Sequence, residues 1–269
     1  MPTHFGWLVT AVADQLQVLV VDLIVPLSWP DQWRWRTAAG EGRPMRQRRR
    51  IIVVAVVALA GLAAVLWFVF VPNWRPALVG AETYGVDVSA HQGEIDWERV
   101  AGDGIEFAYI KATEGQGWVD ARFAANWDGA AAAGLDRGAY HFFTLCAPGD
   151  EQARNFLRVA PPDTGALPPA IDLELTGNCS ERPPVDEVAG RVATFVRIVE
   201  QAWGRELLFY IRPDWDDRYR TRDGLDRPLW DVRFPRRPTD DRWQVWQLHG
   251  FAHVDGISGG VDLDVMRSR

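Results

Sequence analysis

Residues 167–175 read Leu-Pro-Pro-Ala-Ile-Asp-Leu-Glu-Leu, an apolar run that carries two carboxylates. The apolar residues are typical of a buried strand, and the proline pair fits a strand entry better than a helix. Side chains alternate along a strand, so Asp172 and Glu174 share one face with Cα atoms about 6.5 Å apart. Burial and mutual repulsion raise and separate the pKa values of such a pair, which gives one proton donor and one anion near neutral pH. The structural alternative is a pair of acids bound to arginine or to backbone amides.

Strand and helix patterns alternate on both sides of this run. The predicted strands are 84–88, 105–111, 137–143, 167–175, 207–211, 229–232, 244–247 and 261–265. The predicted helices are 95–100, 121–133, 151–159 and 185–203. Turn-rich segments with little room for helices separate the last three strands. This order predicts an α/β fold, an irregular TIM-like barrel.

Reactive groups in such barrels lie at the C-terminal ends of the strands, here called the mouth. The polar residues predicted at the mouth are Asp87, Lys111, His141, Asp172, Glu174, Asp262 and Asp264. The first and last strands are neighbours in a closed barrel, so Asp87 should approach Asp262. Lys111 is the only lysine in the chain and the natural counter-ion for these acids.

The charge of the chain is unevenly distributed. The formal net charge is −7, but residues 1–50 hold seven arginines and four acids, which leaves 22 basic and 32 acidic residues beyond them. An acidic main domain argues against a nucleic-acid partner. Fourteen tryptophans fit a protein that handles sugar rings or lies at an interface.

A hydrophobic segment precedes the predicted barrel. Residues 51–71 carry no charge and are long enough for one helix across a lipid bilayer. Arg46 and the arginines at 48–50 stand directly before it, so the positive-inside rule places the rest of the chain outside the cytoplasmic membrane. A signal peptide cleaved at 58–60 or 79–81 is the alternative, but the first site cuts inside the apolar run and the second lies far beyond it.

These observations divide the chain into four parts. Residues 1–44 form an extension without an assigned function, and Met45 offers a second start of translation. Residues 45–71 form the basic cluster and single-pass anchor, 72–82 a linker, and 83–269 the catalytic barrel. The oligomeric state is left open.

Six motifs of the predicted barrel are distinctive. They are Gly85-Val86-Asp87-Val88-Ser89, the run from Phe107 to Gly115, the run from Gly138 to Phe143, Asp172-x-Glu174, Trp246-Gln247 and Val261-Asp262-Leu263-Asp264. Together they closely resemble the family 25 glycoside hydrolases, a class of lysozymes. The resemblance implies a (β/α)5β3 barrel that cleaves the β-1,4 bond between N-acetylmuramic acid and N-acetylglucosamine in peptidoglycan glycan strands. It implies no cofactor and no metal.

The resemblance also implies roles for the four acids. Glu174 matches the general acid of the family, which delivers a proton to the glycosidic oxygen. Asp172 matches the acid that holds the N-acetyl group of the substrate or steers the nucleophile, and Asp87 and Asp262 line the same pocket. Inverting and substrate-assisted mechanisms both stay open.

Substrate contacts are predicted for side chains that stack on sugar rings or hydrogen-bond to them. The candidates are Tyr109, Tyr140, Tyr210, Trp230, Trp246, Lys111, His141 and Gln247. Ordinary barrel core is the alternative for each aromatic residue. The H-x3-H spacing of His249 and His253 surrounds Gly250 and predicts a loop rather than a metal site.

Two cysteines follow neighbouring strands of the predicted barrel. Outside the cytoplasm we expect Cys146 and Cys179 to form a disulfide across the rim. Two buried free thiols are the alternative.

Two departures from the family pattern lie near the substrate groove. Arg212 stands where the family usually has asparagine, and Asp264 stands where asparagine is common. Neither removes a candidate acid, so they concern glycan length or peptide preference more than the chemistry.

Two other functions stay open. Chitinases with an Asp-x-Glu strand carry further acids upstream, where this chain has Leu167 and Ala170. A catalytically weak wall-binding module has little use for four intact acids.

Overall fold

The computed structural model describes residues 42–267, so most of the predicted extension lies outside the described residues. The described residues divide into two units, with the boundary between Ala60 and Gly61. Helix α1, Gly42–Phe70, begins in the first unit and ends in the second.

Helix α1 is apolar around its whole circumference over residues 51–70, which follow three arginines at 48–50. The span Gln47–Phe70 contains an 18-residue window with a mean hydropathy of 2.9, and its side chains are exposed. At about 1.5 Å per residue the span is long enough to cross the hydrocarbon core of a bilayer, which is about 30 Å thick. Among the described residues it is the one helix long and apolar enough to cross a membrane.

The second unit contains the remaining strands and helices. Its strands are β1 (Glu82–Val88), β2 (Ile105–Glu114), β3 (Trp118–Val119), β4 (Asp136–Phe142), β5 (Ala170–Leu173), β6 (Leu208–Ile211), β7 (Leu229–Val232), β8 (Trp243–Ala252) and β9 (Val261–Arg267). Its helices are α2 (Trp97–Gly102), α3 (Phe123–Ala132), α4 (Gly149–Val159), α5 (Val185–Trp203) and α6 (Pro213–Tyr219).

Eight strands close into a barrel. Their order is β1, β2, β4, β5, β6, β7, β8 and β9, and β9 pairs back onto β1. Neighbours run parallel except at β9, which is antiparallel to both β8 and β1. Five strands of the barrel are followed by helices, whereas β7, β8 and β9 are not followed by a helix within the described residues. The prediction of a closed α/β barrel is confirmed.

Two apolar layers hold the barrel together, because successive strand residues face opposite sides of the wall. The barrel interior is packed with Phe107, Tyr109, Tyr140, Ala170, Leu208, Tyr210, Trp230 and Val245. A larger cluster outside the wall packs strands against helices, and it includes Ile110, Phe143, Phe156, Phe195 and Trp215.

The predicted linker 72–82 packs against the barrel. The backbone N–H of His253 donates to the Pro72 carbonyl at 2.8 Å. Arg75 forms an ion pair with Asp103 at 2.5 Å, and the Ala77 carbonyl accepts from Arg237 at 2.6 Å. This segment is therefore docked by backbone and side-chain contacts rather than free.

Three elements differ from the sequence prediction. The strand predicted at 167–175 is only Ala170–Leu173, since the preceding prolines cannot donate to a ladder and Glu174 lies just past the strand. Helix α6 lies between the predicted strands 207–211 and 229–232, where no helix is predicted; it is only seven residues long and begins at Pro213, a residue suited to a first helical turn. Strand β8 extends to Ala252 because it continues as an antiparallel partner of β9.

The barrel interior leaves no room for a side chain at Gly138. A Cβ there would lie 2.3 Å from Cε1 of Tyr109. We expect Gly138→Ala to lower the free energy of unfolding by about 1–3 kcal/mol, because packed rings must move. Gly190→Ala in α5, where an added Cβ meets nothing within 4 Å, should instead raise it by about 1 kcal/mol. Urea unfolding followed by near-ultraviolet circular dichroism measures both, and equal effects would contradict the packing argument.

Candidate active site

Carboxylates from three strands meet at the mouth of the barrel. Asp87 of β1 is the register partner of Asp262 in β9, as the closure of the barrel predicts. Asp172 lies in β5, and Glu174 follows one residue beyond the end of that strand. These four acids are partly exposed, whereas Asp264 is fully buried two residues deeper in β9.

A chain of hydrogen bonds fixes the side of the pocket at Asp87. The Tyr210 hydroxyl donates to Oε1 of Gln247 at 2.9 Å, and Nε2 of Gln247 donates to Oδ2 of Asp87 at 2.8 Å. Beneath them, Nε1 of Trp230 donates to Oδ1 of Asp264 at 2.9 Å. Gln247 therefore links a wall tyrosine to a candidate acid.

Burial of Asp87 raises the pKa of its carboxyl group well above the ordinary value, and the charges of Asp262 and Asp264 raise it further. The hydrogen bond from Gln247 acts in the opposite direction. Burial also raises the pKa of Asp264, with Asp262 as the next cause. This side of the pocket favours protonated carboxyl groups.

The pKa values of Asp172 and Glu174, the acids of the Asp-x-Glu motif, are also raised. Burial raises the pKa of Asp172 well above its usual range, and the charge of Glu174 adds to the shift. Burial raises the pKa of Glu174 to about 7, although Arg212 lowers it. Burial also raises the pKa of Asp262 to about 6, again opposed by Arg212. Glu174 can therefore hold a transferable proton near neutral pH.

Two cations line this part of the mouth, but only one pairs with a candidate acid. Nζ of Lys111 lies 2.8 Å from Oε2 of Glu114 and 4.6 Å from the centroid of the Phe142 ring. The ion pair of Lys111 is thus with Glu114, and its charge also lowers the pKa of Asp172 and of Glu174, the direction predicted for a counter-ion of these acids. Nε of Arg212 lies 3.4 Å from Oε2 of Glu174.

Sequence reasoning treated Arg212 only as a departure from the family pattern. A usable signal was present, because Arg212 stands two residues after Tyr210 and strand side chains repeat their direction every second residue. The same period that places Asp172 and Glu174 on one face places Tyr210 and Arg212 on one face.

The predicted aromatic contacts separate by depth. Tyr140 and Tyr210 lie near the acids, whose charges together with burial raise the pKa of both hydroxyl groups. Tyr109 and Trp230 are only 1% and 2% exposed. The Tyr109 hydroxyl donates to the Pro168 carbonyl at 3.1 Å, at the opposite end of β5 from the mouth. Tyr109 and Trp230 are therefore barrel core, which corrects their prediction as substrate contacts.

The structure also contradicts a substrate contact for His141. Its side chain points away from the barrel interior and is fully buried. Its ring nitrogens lie 2.7 Å from Oγ1 of Thr113 and 3.1 Å from Oε1 of Gln152, and the ring stacks on Phe195. Burial lowers the pKa of His141 to about 3, so the ring is neutral.

Trp246 faces outward as well, one residue before the inward-facing Gln247. It is 1% exposed, belongs to the outer apolar cluster and donates from Nε1 to the Arg233 carbonyl at 2.6 Å. A sugar ring in the mouth cannot stack on it, which corrects that prediction.

A disulfide and an asparagine hold the loop after Glu174. Cys146 and Cys179 are bonded, with Cα atoms 6.2 Å apart. Nδ2 of Asn178 donates to the Glu174 carbonyl at 3.0 Å, and its Oδ1 accepts from the backbone N–H of Leu145 at 2.9 Å. The backbone at Glu174 is thereby tied to the loop that follows β4.

Metal ligation has no candidate in the described part of the chain. No group of three or more histidine, cysteine or acidic residues there is placed to hold a metal ion. His249 instead stacks on Phe251, with ring centroids 4.2 Å apart.

Comparisons with known proteins point to one family. The family model for glycosyl hydrolases family 25 matches residues 86–259. The uncharacterized protein YegX of Escherichia coli strain K12 is 36% identical over 190 residues, which are 68% of this chain and 68% of that protein. Lysozyme M1 of Streptomyces globisporus is 32% identical over 195 residues, which are 66% of this chain and 65% of that protein.

Solved structures give the same result. A family 25 glycosyl hydrolase from Bacillus anthracis superimposes with a TM-score of 0.66 at 30% identity, over 72% of this chain and 93% of that one. A bacterial lysozyme from Streptomyces coelicolor gives a TM-score of 0.63 at 30% identity, over 69% and 92%.

The raised pKa of Glu174 makes stability depend on pH. The native pKa of about 7 exceeds the ordinary 4.5, so between these pH values the native state keeps a proton that the unfolded state loses. This contribution to stability is full below pH 4.5 and is lost as the pH rises through 7. We expect Glu174→Gln to exceed the parent in free energy of unfolding by about 1–3 kcal/mol at pH 8.

Urea unfolding at several pH values measures that difference, which should shrink as the pH falls toward 4.5. Glu98→Gln, on the exposed face of α2, is the matched control and should show no comparable gain. A Glu174→Gln protein that is less stable than the parent at pH 8 would contradict the raised pKa of Glu174.

Proposed function

The chain belongs to glycosyl hydrolases family 25, and from that membership we propose that it is a lysozyme acting on peptidoglycan. The bond cleaved is the β-1,4 bond between N-acetylmuramic acid and N-acetylglucosamine, and Glu174 is the general acid. The observation that carries this proposal is the Glu174 carboxyl group at the mouth, with a pKa of about 7 among three further acids.

Proton transfer from Glu174 starts the reaction. The O–H bond of the carboxyl group breaks, a new O–H bond forms on the glycosidic oxygen, and the bond from that oxygen to C1 breaks with its electron pair left on the oxygen. The sugar ring then carries positive character, as in other glycoside hydrolyses. Asp262, with a pKa of about 6, is ionised near neutral pH, and its carboxylate stabilises that charge.

Asp172 steers the nucleophile in this proposal. It lies on the same face of the chain as Glu174, and its Oδ1 is buried without a hydrogen-bond partner among the described residues. That oxygen is available to the acetamido N–H of a substrate or to an attacking water. The anomeric configuration of the first product distinguishes substrate assistance from inversion.

Tyr140, Tyr210 and Gln247 complete the proposed pocket. The hydroxyl groups of the two tyrosines lie near the acids, while their rings pack against Trp230. Gln247 is held between Tyr210 and Asp87, so its amide keeps the Asp87 carboxyl group in place.

Helix α1 anchors the enzyme to the cytoplasmic membrane in this proposal. Its apolar stretch follows an arginine cluster, so the barrel lies on the extracytoplasmic side, where peptidoglycan is found. The Cys146–Cys179 disulfide suits that compartment, because disulfides persist in oxidising surroundings. An enzyme held on the membrane of the producing cell acts in local wall remodelling.

The activity is tested by digesting purified peptidoglycan with the full chain in detergent. We expect fragments that end in reducing N-acetylmuramic acid, and a loss of about 10²–10⁴-fold with Glu174→Gln, since the acid step is removed. Mass spectrometry and analysis of the reducing-end sugar give the readout, and Glu98→Gln should keep full activity.

Other outcomes would revise the proposal. Reducing N-acetylglucosamine would identify a glucosaminidase, and undiminished cleavage by Glu174→Gln would remove the general-acid role. Sedimentation with the wall without cleavage would favour the binding module.

Anchoring is tested by fractionation. We expect the full-length protein to stay in the membrane pellet after an alkaline carbonate wash, because about 20 apolar residues hold a helix in the bilayer. Deletion of residues 51–71 should move the protein out of the pellet. A shortened, soluble product of the intact gene would instead demonstrate a cleaved signal peptide.

A further inference from the structure

Arg212 lies against the candidate general acid at the mouth. Its Nε is 3.4 Å from Oε2 of Glu174 and 3.8 Å from Oδ1 of Asp214. Nε is buried and has no hydrogen-bond partner in the described part of the chain. The arginine side chain as a whole is 39% exposed and that of Glu174 is 20% exposed. The buried edge of the guanidinium group therefore faces the acid.

The backbone holds Arg212 in this place. Its N–H donates to the Leu173 carbonyl at 3.0 Å, the residue directly before Glu174. The carbonyl of Ile211 accepts from Arg222 at 2.8 Å. Pro213 begins helix α6 immediately afterwards, and Trp215 buries that helix against the outer core. Arg212 and Glu174 thus project from adjacent chain segments that are bonded to each other.

Resting on the general-acid role proposed for Glu174, we propose that Arg212 is a positioning residue. It holds the Glu174 carboxyl group and stabilises the negative charge that forms there as the proton passes to the glycosidic oxygen. The proton goes from the carboxyl oxygen to the leaving-group oxygen, and the pair of electrons left behind stays on the carboxylate beside Nε.

The surroundings of Glu174 show why such a partner matters. Asp214 and Asp262 both disfavour its anion, and so does burial. Lys111 acts in the favourable direction, but its ammonium group is paired with Glu114 at 2.8 Å. Arg212 is the cation that forms an ion pair with Glu174 itself.

The distance between Nε of Arg212 and Oε2 of Glu174 fits a partner that acts late in the proton transfer. A distance of 3.4 Å exceeds the usual 2.7–3.2 Å of an N–H···O hydrogen bond. An ionised carboxylate attracts a guanidinium N–H more strongly than a neutral acid does, and charge-assisted bonds are shorter. The contact is thus set to tighten when Glu174 becomes an anion, which lowers the barrier rather than the energy of the resting state.

The test is the pH dependence of kcat for the full chain in detergent, with soluble peptidoglycan fragments as substrate. Removal of a cation beside Glu174 raises the pKa of that acid. Arg212→Asn should therefore move the alkaline limb of the kcat–pH profile to higher pH by about 1 pH unit. We expect kcat at the optimum to fall about tenfold, with little change in KM. Arg212→Lys keeps the charge and should leave the limb near its original position.

Asp214→Asn is a control with the opposite sign. Asp214 raises the pKa of Glu174, so its neutralisation should move the alkaline limb downward. The two substitutions alter neighbouring side chains of similar exposure, 39% for Arg212 and 38% for Asp214. A general disturbance of the mouth cannot produce shifts in opposite directions. If Arg212→Asn does not fold, as judged by near-ultraviolet circular dichroism, Arg212→Gln removes the charge with a longer side chain and takes its place.

Two results would overturn the role of Arg212. An alkaline limb that stays in place in Arg212→Asn, whether or not Asp214→Asn moves it, would leave Arg212 only a structural contribution. A raised KM with unchanged kcat would make Arg212 a substrate-binding residue.

A different result would refute the proposed function: either the parent does not cleave, or Glu174→Gln cleaves at the parent rate. In both cases the proposed role of Arg212 is refuted as well. A parent that cleaves and depends on Glu174, with an unmoved limb in Arg212→Asn, refutes the positioning role alone.

Discussion

Each strand of the closed barrel presents its side chains alternately to the interior and to the surrounding helices. This two-residue period decides which side chains reach the mouth. It sends Asp172 and Glu174 inward together, and it turns His141 and Trp246 outward although both stand beside residues that face the pocket. The outer layer of apolar rings then fixes the strands from behind, so the inward side chains have little freedom. The chemistry of the mouth therefore depends on the register of the barrel wall.

The mouth holds more carboxyl groups than can all be ionised so close together. Burial raises the pKa of each of these acids and so keeps protons on several of them. The acids are not equivalent. The charge of Arg212 opposes the shift at Glu174 and Asp262, so their pKa values rise only to about 7 and about 6. Proton affinity is therefore uneven across the mouth, and the pKa of Glu174, about 7, lies nearest to neutral pH. The proposed proton donation uses this acid, because it holds a proton that can leave near neutral pH.

The barrel, the acids and the pairing of Asp87 with Asp262 could be predicted from the sequence, because each follows from a local period or from closure of the barrel. The depth of each side chain along the barrel axis could not be predicted. Tyr109 and Tyr140 both face inward, yet only the second lies near the acids, and the difference depends on the stagger of neighbouring strands. The two-residue period could place Arg212 on the pocket face but could not give the ion pairs, since Lys111 pairs with Glu114 on its own strand, whereas Arg212 pairs with Glu174 of the neighbouring chain segment. Contacts of that kind depend on side-chain conformations, which no spacing in the sequence encodes.

The Cys146–Cys179 disulfide encloses a covalent ring of chain that contains α4, β5 and both acids of the Asp-x-Glu motif. A single proteolytic cut anywhere inside this ring leaves the two resulting fragments joined. The acid-bearing strand then stays hydrogen-bonded between β4 and β6 instead of separating from the barrel. In the extracytoplasmic location proposed above, this cross-link makes the acid-bearing part of the fold tolerant of nicking.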